Sequence, residues 1–547
     1  MKIAGQYVDL FRREIYPATV EIRGGTIAKI TKHTDPLQGP FIMPGFVDAH
    51  VHIESSMLVP SRFAELAIAH GTVATVSDPH EIANVLGKKG VEFMLSDAAK
   101  VPLKMHFGVP SCVPATPFET SGATLDAKEV NELLQRPNLY YLAEMMNYPG
   151  VLFEDTEVMA KIASAHANSK PIDGHAPGLT GKELEKYAKA GISTDHEAFT
   201  LAEAREKVNQ GMKIQIREGS AAKNYHALAP IIQESPDSVM FCMDDCHPDD
   251  LLKGHINSLV KRALEDGYNF FDVLRAASVH AIEHYNLPVG LLREGDPADF
   301  IVVGDLMEFN LKQVFIDGKL CYDSTGFHWI RPETEPVNQF VKYPLTHDDF
   351  AIPAKTEKVK VIQVEDGELI TSTKIMKPNR KEGYYLPDTH QDLLKIAVVN
   401  RYKKAPVQVG FITGFGLKEG AFASSIAHDS HNVIVVGTSD QEMKRAVEIL
   451  MDSRGGVAVV NGQKQHHLAL PVAGLMSLLT GEEVAASYQE LDKQAKRLGC
   501  DLKAPFMSLA FMALLVIPEL KIGDKGLFDG KKFQFTDLYV RTKTEID

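Results

Sequence analysis

Short runs in which apolar and polar residues alternate open the chain: Lys2 to Val8, Thr19 to Ile22 and, after Gly24-Gly25, Thr26 to Ile30. A period of two predicts hairpins of a small sheet rather than helix. The same pattern returns at Asp299 to Gly304 and at Gln313 to Tyr322, with Asp317-Gly318 supplying a hairpin turn. The two groups can form one small β domain if the chain between them is an insertion whose ends meet.

That intervening chain, Pro44 to about Leu287, alternates strand-like and helix-like segments. Candidate strands are Phe46 to Val51, Thr72 to Ser77, Met105 to Val109, Tyr140 to Met145, Pro171 to Gly174, Ile192 to Asp195, Lys213 to Arg217 and Val239 to Met243. Helical patterns lie between them at Pro60 to His70, Asn84 to Lys100, Thr156 to Ser169, Gly181 to Ala190 and Leu201 to Asn209. Eight such alternations in roughly 250 residues is the arithmetic of an α/β fold of the (β/α)₈ barrel type. A doubly wound open sheet is the alternative, but its usual Gly-rich first turn is replaced here by His and Glu.

From about Tyr343 the pattern changes. Strand-like runs at Lys395 to Asn400, Val407 to Ile412, Ala421 to Ala427 and Val433 to Val436 precede helices at Gln441 to Met451 and Glu482 to Arg497. The expected organisation is a small β domain in two parts, 1–43 and 289–342, a barrel at 44–288 and a C-terminal α/β domain at 343–547.

Composition narrows the class. The hydrophobic share of 44% and charged share of 24% are those of an ordinary globular protein. With 58 basic against 72 acidic residues the net charge is −14, which argues against nucleic acid or an anionic membrane as partner. Five scattered cysteines, Cys112, Cys242, Cys246, Cys321 and Cys500, form no paired CxxC and suit a reducing cytoplasm. Cys242 and Cys246 read as core thiols. The charged N-terminus does not read as a signal peptide, and none is expected. The most apolar stretch, Phe506 to Ile517, is far shorter than the roughly 20 residues that span a bilayer.

The chemistry-bearing residues sit at the ends of the candidate strands. Asp48-Ala49-His50-Val51-His52 places two imidazoles at i and i+2 of a strand, on one face. Glu144, His175, His196 and Asp244 end later strands, on the C-terminal face where barrels gather catalytic groups. Taken singly, His175 and His196 could be satisfied core histidines. Together, four imidazoles and two carboxylates without a thiolate suit Mn²⁺, Fe²⁺ or Zn²⁺. Six ligands exceed one tetrahedral ion, so a binuclear centre sharing Glu144 and a bridging hydroxide is the natural arrangement.

The run Pro44-Gly45-Phe46-Val47-Asp48-Ala49-His50-Val51-His52 resembles the amidohydrolase superfamily, whose barrel is inserted in a small β domain. Gly295-Asp296-Pro297-Ala298-Asp299-Phe300-Ile301-Val302-Val303 resembles the segment by which those chains return to it. Within the superfamily the chain resembles the bacterial adenine deaminases. The motifs are His52-Ile53-Glu54-Ser55-Ser56-Met57, Asp78-Pro79-His80-Glu81-Ile82, Leu142-Ala143-Glu144-Met145-Met146-Asn147-Tyr148-Pro149-Gly150 and Asp173-Gly174-His175-Ala176-Pro177-Gly178. Further matches are Ile216-Arg217-Glu218-Gly219-Ser220-Ala221-Ala222 and Ala427-His428-Asp429-Ser430-His431-Asn432, so the resemblance covers nearly the whole chain.

The resemblance implies that His50, His52, Glu144, His175, His196 and Asp244 ligate a binuclear centre, commonly of Mn²⁺ and sometimes iron. Asp245 follows Asp244, and the first Asp after the apolar run is preferred. The implied reaction is hydrolytic deamination of adenine to hypoxanthine and ammonia in purine salvage or adenine catabolism. Asp244 would shuttle the proton from the hydroxide to the leaving amine. The acid near purine N1 would come from Glu54, Glu81, Glu197 or Glu218, with Glu218 favoured by its position after strand seven; Arg217 could equally be its structural partner. A homo-oligomer in the cytoplasm, with adenine as small-molecule substrate, is the expected setting.

Two motifs are discounted. His52-Ile53-Glu54 lacks the PCxxC of cytidine deaminases. Gly414 to Gly420 has one residue too many for a dinucleotide fingerprint and reads as a turn. His428, Asp429 and His431 could form another metal site, a polar turn with satisfied side chains, or a cover for the barrel mouth. The alternative functions are a cyclic amide hydrolase of the hydantoinase or dihydroorotase kind, or a scaffold without activity. The second sits poorly with six intact ligands.

Overall fold

The computed structural model describes residues 1–35, 39–220 and 222–540. Ala221, part of one motif above, lies outside them. The chain divides into two compact units. The first comprises Met1–His80, Glu92–Cys112 and Leu125–Thr334; the second comprises Glu81–Val91, Val113–Thr124 and the chain from Glu335 onward.

In the first unit, strands β1 (Lys2–Asp9), β2 (Glu14–Arg23), β3 (Thr26–Lys32) and β4 (Phe41–Pro44) begin the small sheet. Eight strands follow in the barrel: β5 (Phe46–Val51), β6 (Thr72–Ser77), β7 (Lys104–Val109), β8 (Leu139–Met145), β9 (Ile172–Gly174), β10 (Thr194–Asp195), β11 (Lys213–Arg217) and β12 (Val239–Cys242). The chain then returns through β13 (Phe300–Val303), β14 (Leu311–Ile316), β15 (Lys319–Asp323) and β16 (Gly326–Phe327). The small sheet runs β16-β15-β14-β13-β4-β1-β2-β3. Phe300 of β13 lies opposite Pro44 of β4, so the insertion leaves and re-enters between neighbouring strands. Tyr7, Val20, Ile22, Ile42, Phe300 and Phe315 pack beneath this sheet, with Phe300 and Phe315 stacked at 4.7 Å. Burial of each such ring is worth about 1.5–3 kcal/mol.

All the barrel pairings are parallel. The β9–β10 junction is made at Ile172 and Ile192, with Ser193 N–H donating to Ile172 C=O at 2.9 Å. Closure is made at Val51 and Asp244, where Asp244 N–H donates to His50 C=O at 2.9 Å. Every residue of β5, β6 and β12 is buried, including the polar Asp48, His50, Thr72, Thr75 and Ser77, so these strands have no solvent face, and β12 is apolar throughout. The single helix expected over Asn84 to Lys100 is two, His80–Leu86 and Lys88–Ala98. Gly87 between them has φ +58°, a left-handed residue that ends the first helix.

The second unit is built on a largely antiparallel sheet. Its order is Ser372–Met376, Lys358–Gln363, Gln408–Thr413, Leu394–Val399, Val433–Gly437, Ala421–Ser424, Gly456–Asn461 and Lys464–Ala469. Helix Asp440–Ser453, capped by Ser439, buries Met443, Ala446, Val447 and Leu450 in a core shared with Val399, Val433 and Val435. Helix Gly481–Arg497 starts with a reciprocal capping box of Thr480 and Glu483. Of the apolar stretch after Phe506, only Pro505–Phe511 is helical, and no helix among the described residues is long and apolar enough to cross a membrane. All five cysteines are buried and free, and burial pushes the Cys242 and Cys246 thiols well up.

Candidate metal centre

The barrel strands deliver the polar cluster from below. Asp48 of β5 is fully buried and accepts N–H bonds from His50 at 3.2 Å and from Met243, just past β12, at 3.1 Å. Its other oxygen lies 2.9 Å from His255 Nε2, whose Nδ1 meets Thr72 Oγ1 at 2.6 Å. One carboxylate therefore ties the strand carrying His50 to the end of the strand that precedes Asp244.

His50 Nε2 and His52 Nε2 face each other at 3.2 Å. His52 Nε2 is 3.3 Å from Glu144 Oε1 and 3.2 Å from Asp244 Oδ1, and His50 Nε2 is 3.7 Å from that oxygen. On the other side of Glu144, Oε2 lies 2.6 Å from His175 Nδ1 and 3.3 Å from His196 Nε2. The His50 and His196 rings stack at 4.1 Å. All six expected ligands thus converge, with Glu144 in the middle.

Asp244 has φ +56°, a left-handed backbone that Asp tolerates at a cost of order 1–3 kcal/mol. It is held there by the bridge to β5: Asp244 C=O accepts from His52 N–H at 3.2 Å. Asp245 turns its carboxylate to Ser55 Oγ, although one of its oxygens can still approach His52 and Asp244.

The loops carrying His175 and His196 are fixed by a buried ionic network. Lys207 Nζ donates to Asp195 Oδ1 at 2.7 Å, to Glu203 Oε1 at 2.8 Å and to Ala176 C=O at 2.8 Å. Asp195 also accepts from the backbone N–H of Ala176, Glu197 and Ala198, and Glu203 from Gly178 and Phe199. His175 N–H donates to Tyr187 Oη at 3.0 Å. At Gly174 a Cβ would lie 2.3 Å from Thr194 C=O, which explains the glycine before His175.

Residues without an assigned role in the sequence also gather here. His80, ending the loop after β6, has Nδ1 3.4 Å from Glu144 Oε1 and 3.2 Å from Asp78 Oδ2, and its ring meets His52 edge-on at 4.7 Å. The strand-end rule would have flagged Asp78-Pro79-His80, since β6 ends at Ser77. Arg217 forms a two-pronged pair with Glu197, at 2.7 and 3.0 Å, and also contacts Asp244 Oδ2. Glu218 is bonded elsewhere, to Arg262 at 2.9 Å and Lys223 at 3.9 Å, so the Arg217–Glu218 pairing entertained from sequence is replaced by Arg217–Glu197.

The electrostatics suit a cation. Burial works against ionising Glu144, but His175, His196 and His52 outweigh it and hold its carboxyl well below the usual range. Burial likewise opposes charge on Asp244, and Arg217, His52 and His196 overcome it. Burial with the neighbouring His196 and His52 keeps His50 neutral, the form that ligates, whereas the bonds to Glu144 and Glu197 raise His196 to about 10 against burial. Carboxylates that draw protons onto imidazoles will draw a divalent ion in their place, releasing those protons. Four residue groups within this cluster have ligand atoms close enough together to share an ion: His52, Asp78, His80 and Glu144; His50, His196 and Asp244; Glu144, His175 and His196; His52, Asp244 and Asp245.

Comparisons with known proteins agree with this geometry. A family model of the amidohydrolase family matches residues 41–321, and one of the adenine deaminase C-terminal domain matches residues 368–534. Among curated proteins, the chain is 51% identical to an adenine deaminase of Methanosarcina mazei over 98% of this chain and 99% of that one. It is 51% identical to an adenine deaminase of Salinibacter ruber and 48% to one of Parabacteroides distasonis, over 98% of this chain in both cases and 99% and 98% of theirs. With a cluster of candidate metal ligands at the strand ends of an amidohydrolase barrel and full-length similarity of this degree, the chain belongs to the adenine deaminase family.

Proposed function

We propose that this protein hydrolyses adenine to hypoxanthine and ammonia, with two divalent ions, Mn²⁺ first among Mn²⁺, Fe²⁺ and Zn²⁺, held by His50, His52, Glu144, His175, His196 and Asp244. The observation that carries the metal reading is the central carboxylate of Glu144, reached on one oxygen by His52 and on the other by His175 and His196. When bound, the ions supply a water activated as a nucleophile near neutral pH.

The chain's own groups do the rest. Asp244, kept ionised by Arg217, takes the proton released as water attacks C6 of the purine and passes it to the departing amino group. An acid must also protonate N1 as aromaticity is lost. Glu197 is clamped by Arg217, and both oxygens of Glu81 are taken by His428 and His431. That leaves Glu54 and Glu218. Glu218 is the less buried and directly follows β11, and we propose it for this role; it is itself paired with Arg262 and Lys223, so to act as the acid it must leave those pairs and take up a proton.

A place in cytoplasmic purine salvage and a homo-oligomeric state belong to the same proposal; the five free thiols suit a reducing compartment. The test is ammonia release by Mn²⁺-loaded protein from adenine, adenosine and hydantoin. Adenine is expected to be much the best substrate. Comparable kcat/KM for adenosine would overturn the free-base assignment, and ring opening of hydantoin without ammonia from adenine would place the protein among cyclic amide hydrolases.

A further inference from the structure

The strand that carries Glu144 loses its regular pairing close to that residue. Leu142 lies opposite Ile172 and Met145 opposite Gly174, so β8 advances three residues where β9 advances two. An extra residue of this kind bends a strand and re-aims a side chain, and the irregular stretch here holds Ala143 and Glu144. Strand pairing alone therefore does not set how far Glu144 stands from His175, the first residue past β9.

A tyrosine from the next helix closes this stretch. Tyr187 belongs to helix Gly181–Lys189 and is fully buried. Its hydroxyl spends both of its roles on backbone groups: Oη accepts the N–H of His175 at 3.0 Å and donates to the C=O of Met145 at 3.0 Å. One oxygen thus joins the residue after Glu144 to His175 itself. It packs tightly against the end of β9, where a Cβ on Gly174 would lie 3.2 Å from Oη. The side chains tied in this way are in direct contact, with Glu144 Oε2 at 2.6 Å from His175 Nδ1. Ser111 Oγ, just past β7, donates to the Glu144 C=O at 2.5 Å and so steadies Glu144 from its other side.

We infer that Tyr187 is a positioning residue for the metal centre: its hydroxyl sets the spacing of Glu144 and His175. The inference rests on the assignment of both residues as metal ligands. Without the hydroxyl, the His175 N–H loses its acceptor and the Met145 C=O a donor, so the two strand ends must shift or admit water to satisfy them. Loss of a group that orients a ligand from behind typically costs about 10–100-fold in metal affinity or activity.

The experiment compares Tyr187→Phe with Tyr7→Phe in the full-length chain. Each change deletes one buried hydroxyl and keeps the ring; Tyr7 Oη donates to Leu292 C=O at 2.8 Å, beneath the small sheet. Chelator-treated protein is titrated with Mn²⁺, the free ion being read by electron paramagnetic resonance, and kcat and KM for adenine are then measured at saturating Mn²⁺. For Tyr187→Phe the dissociation constant of at least one ion is expected to rise about 10–100-fold and kcat to fall on a similar scale, with KM within about twofold of the parent. Tyr7→Phe is expected to keep the parent's affinity and kcat while its melting temperature falls about as far as that of Tyr187→Phe. Parent-like metal affinity in Tyr187→Phe overturns the inference, as does an equal loss in both variants or a loss confined to KM. A Tyr187→Phe chain that does not fold overturns it too, by making the hydroxyl a requirement of the fold. A parent protein that binds no Mn²⁺ would be the separate failure of the centre. One that binds Mn²⁺ without deaminating adenine would be the failure of the proposed reaction, and the affinity comparison would still decide the role of Tyr187.

Discussion

Lys207→Met tests whether the buried network beneath the centre holds it together. Lys207 is fully buried, and Met matches its length without its charge. The change removes three hydrogen bonds of 2.7–2.8 Å and leaves Asp195 and Glu203 without their cation. Breaking a buried pair from one side costs about 3–5 kcal/mol. Here the lower end applies, because Asp195 keeps three backbone N–H donors and Glu203 keeps two. At about 2.1 cal/mol/K per residue, a first unit of roughly 300 residues converts about 3 kcal/mol into about 5 °C.

Differential scanning calorimetry on chelator-treated protein measures this without ligand mass action. The endotherm that moves upward when Mn²⁺ is restored identifies the metal-bearing unit. As control, Lys189→Met removes an exposed pair with Glu185 and should leave the transition within about 1 °C. The second readout is metal affinity. The network fixes the loops of His175 and His196, so the dissociation constant should rise about 10–100-fold, the scale seen when support behind a ligand is lost. A Lys207→Met protein melting within about 1 °C of the parent and binding metal equally well would refute the reasoning.

Three further outcomes are expected. Asp244→Asn should lose about 10²–10⁴ in kcat while keeping more metal than His50→Ala or His175→Ala, and Asp245→Asn should be milder; kcat and metal stoichiometry side by side check this, and the reverse order would move the proton shuttle to Asp245. Glu144→Gln should lose metal, because a neutral amide cannot balance two cations as the carboxylate does, and retention of both ions with full activity would remove Glu144 from the bridge. Lys521, buried with one bond to Leu369 C=O at 2.7 Å, is lowered to about 7 by burial. Between pH 7 and its ordinary value the unfolded chain then binds the extra proton, so its contribution to stability rises with pH through that window; Lys521→Met should raise the melting temperature near pH 6–7 and flatten the rise, read as the difference between variant and parent across pH.

The barrel was legible because short strand-like runs alternate with helical patterns along the chain. Phe46–Val51, Thr72–Ser77 and Lys213–Arg217 coincide with the expected bounds. The six residues that converge around Glu144 were legible because each stands at or just past a strand end. Other features left weaker traces. Lys464–Ala469 is a strand of the second unit whose sequence, KQHHLA, carries little apolar signal because only Leu468 is buried. Its stability comes from pairing with Gly456–Asn461, which no local pattern announces. Which acid Arg217 would choose was equally hidden: Glu218 is its neighbour in sequence, Glu197 its partner in space. The grip of His428 and His431 on Glu81 joins residues about 350 apart, beyond any window a periodicity can cover.

A common local device recurs at the strand ends. Asp48 Oδ1 accepts the N–H of His50, Asp78 Oδ1 that of His80, and Asp195 Oδ1 that of Glu197, in each case two residues on, at 3.0–3.2 Å. This is the turn an Asp side chain makes with its own backbone, and it redirects a strand without glycine. At β5, β6 and β10 a polar site residue follows the Asp by one or two positions, so the bond fixes the backbone that carries His50 within β5 and His80 and His196 just past β6 and β10. In two of the three the other carboxylate oxygen, or the same one again, is secured from elsewhere in the barrel: Asp48 meets His255, and Asp195 meets Lys207. Asp78 lies beside His80 itself, 3.2 Å from its Nδ1, and the carboxylate that bends the chain also orients the ring. The loop after β6 therefore has a less distant anchor than the other two on its barrel side.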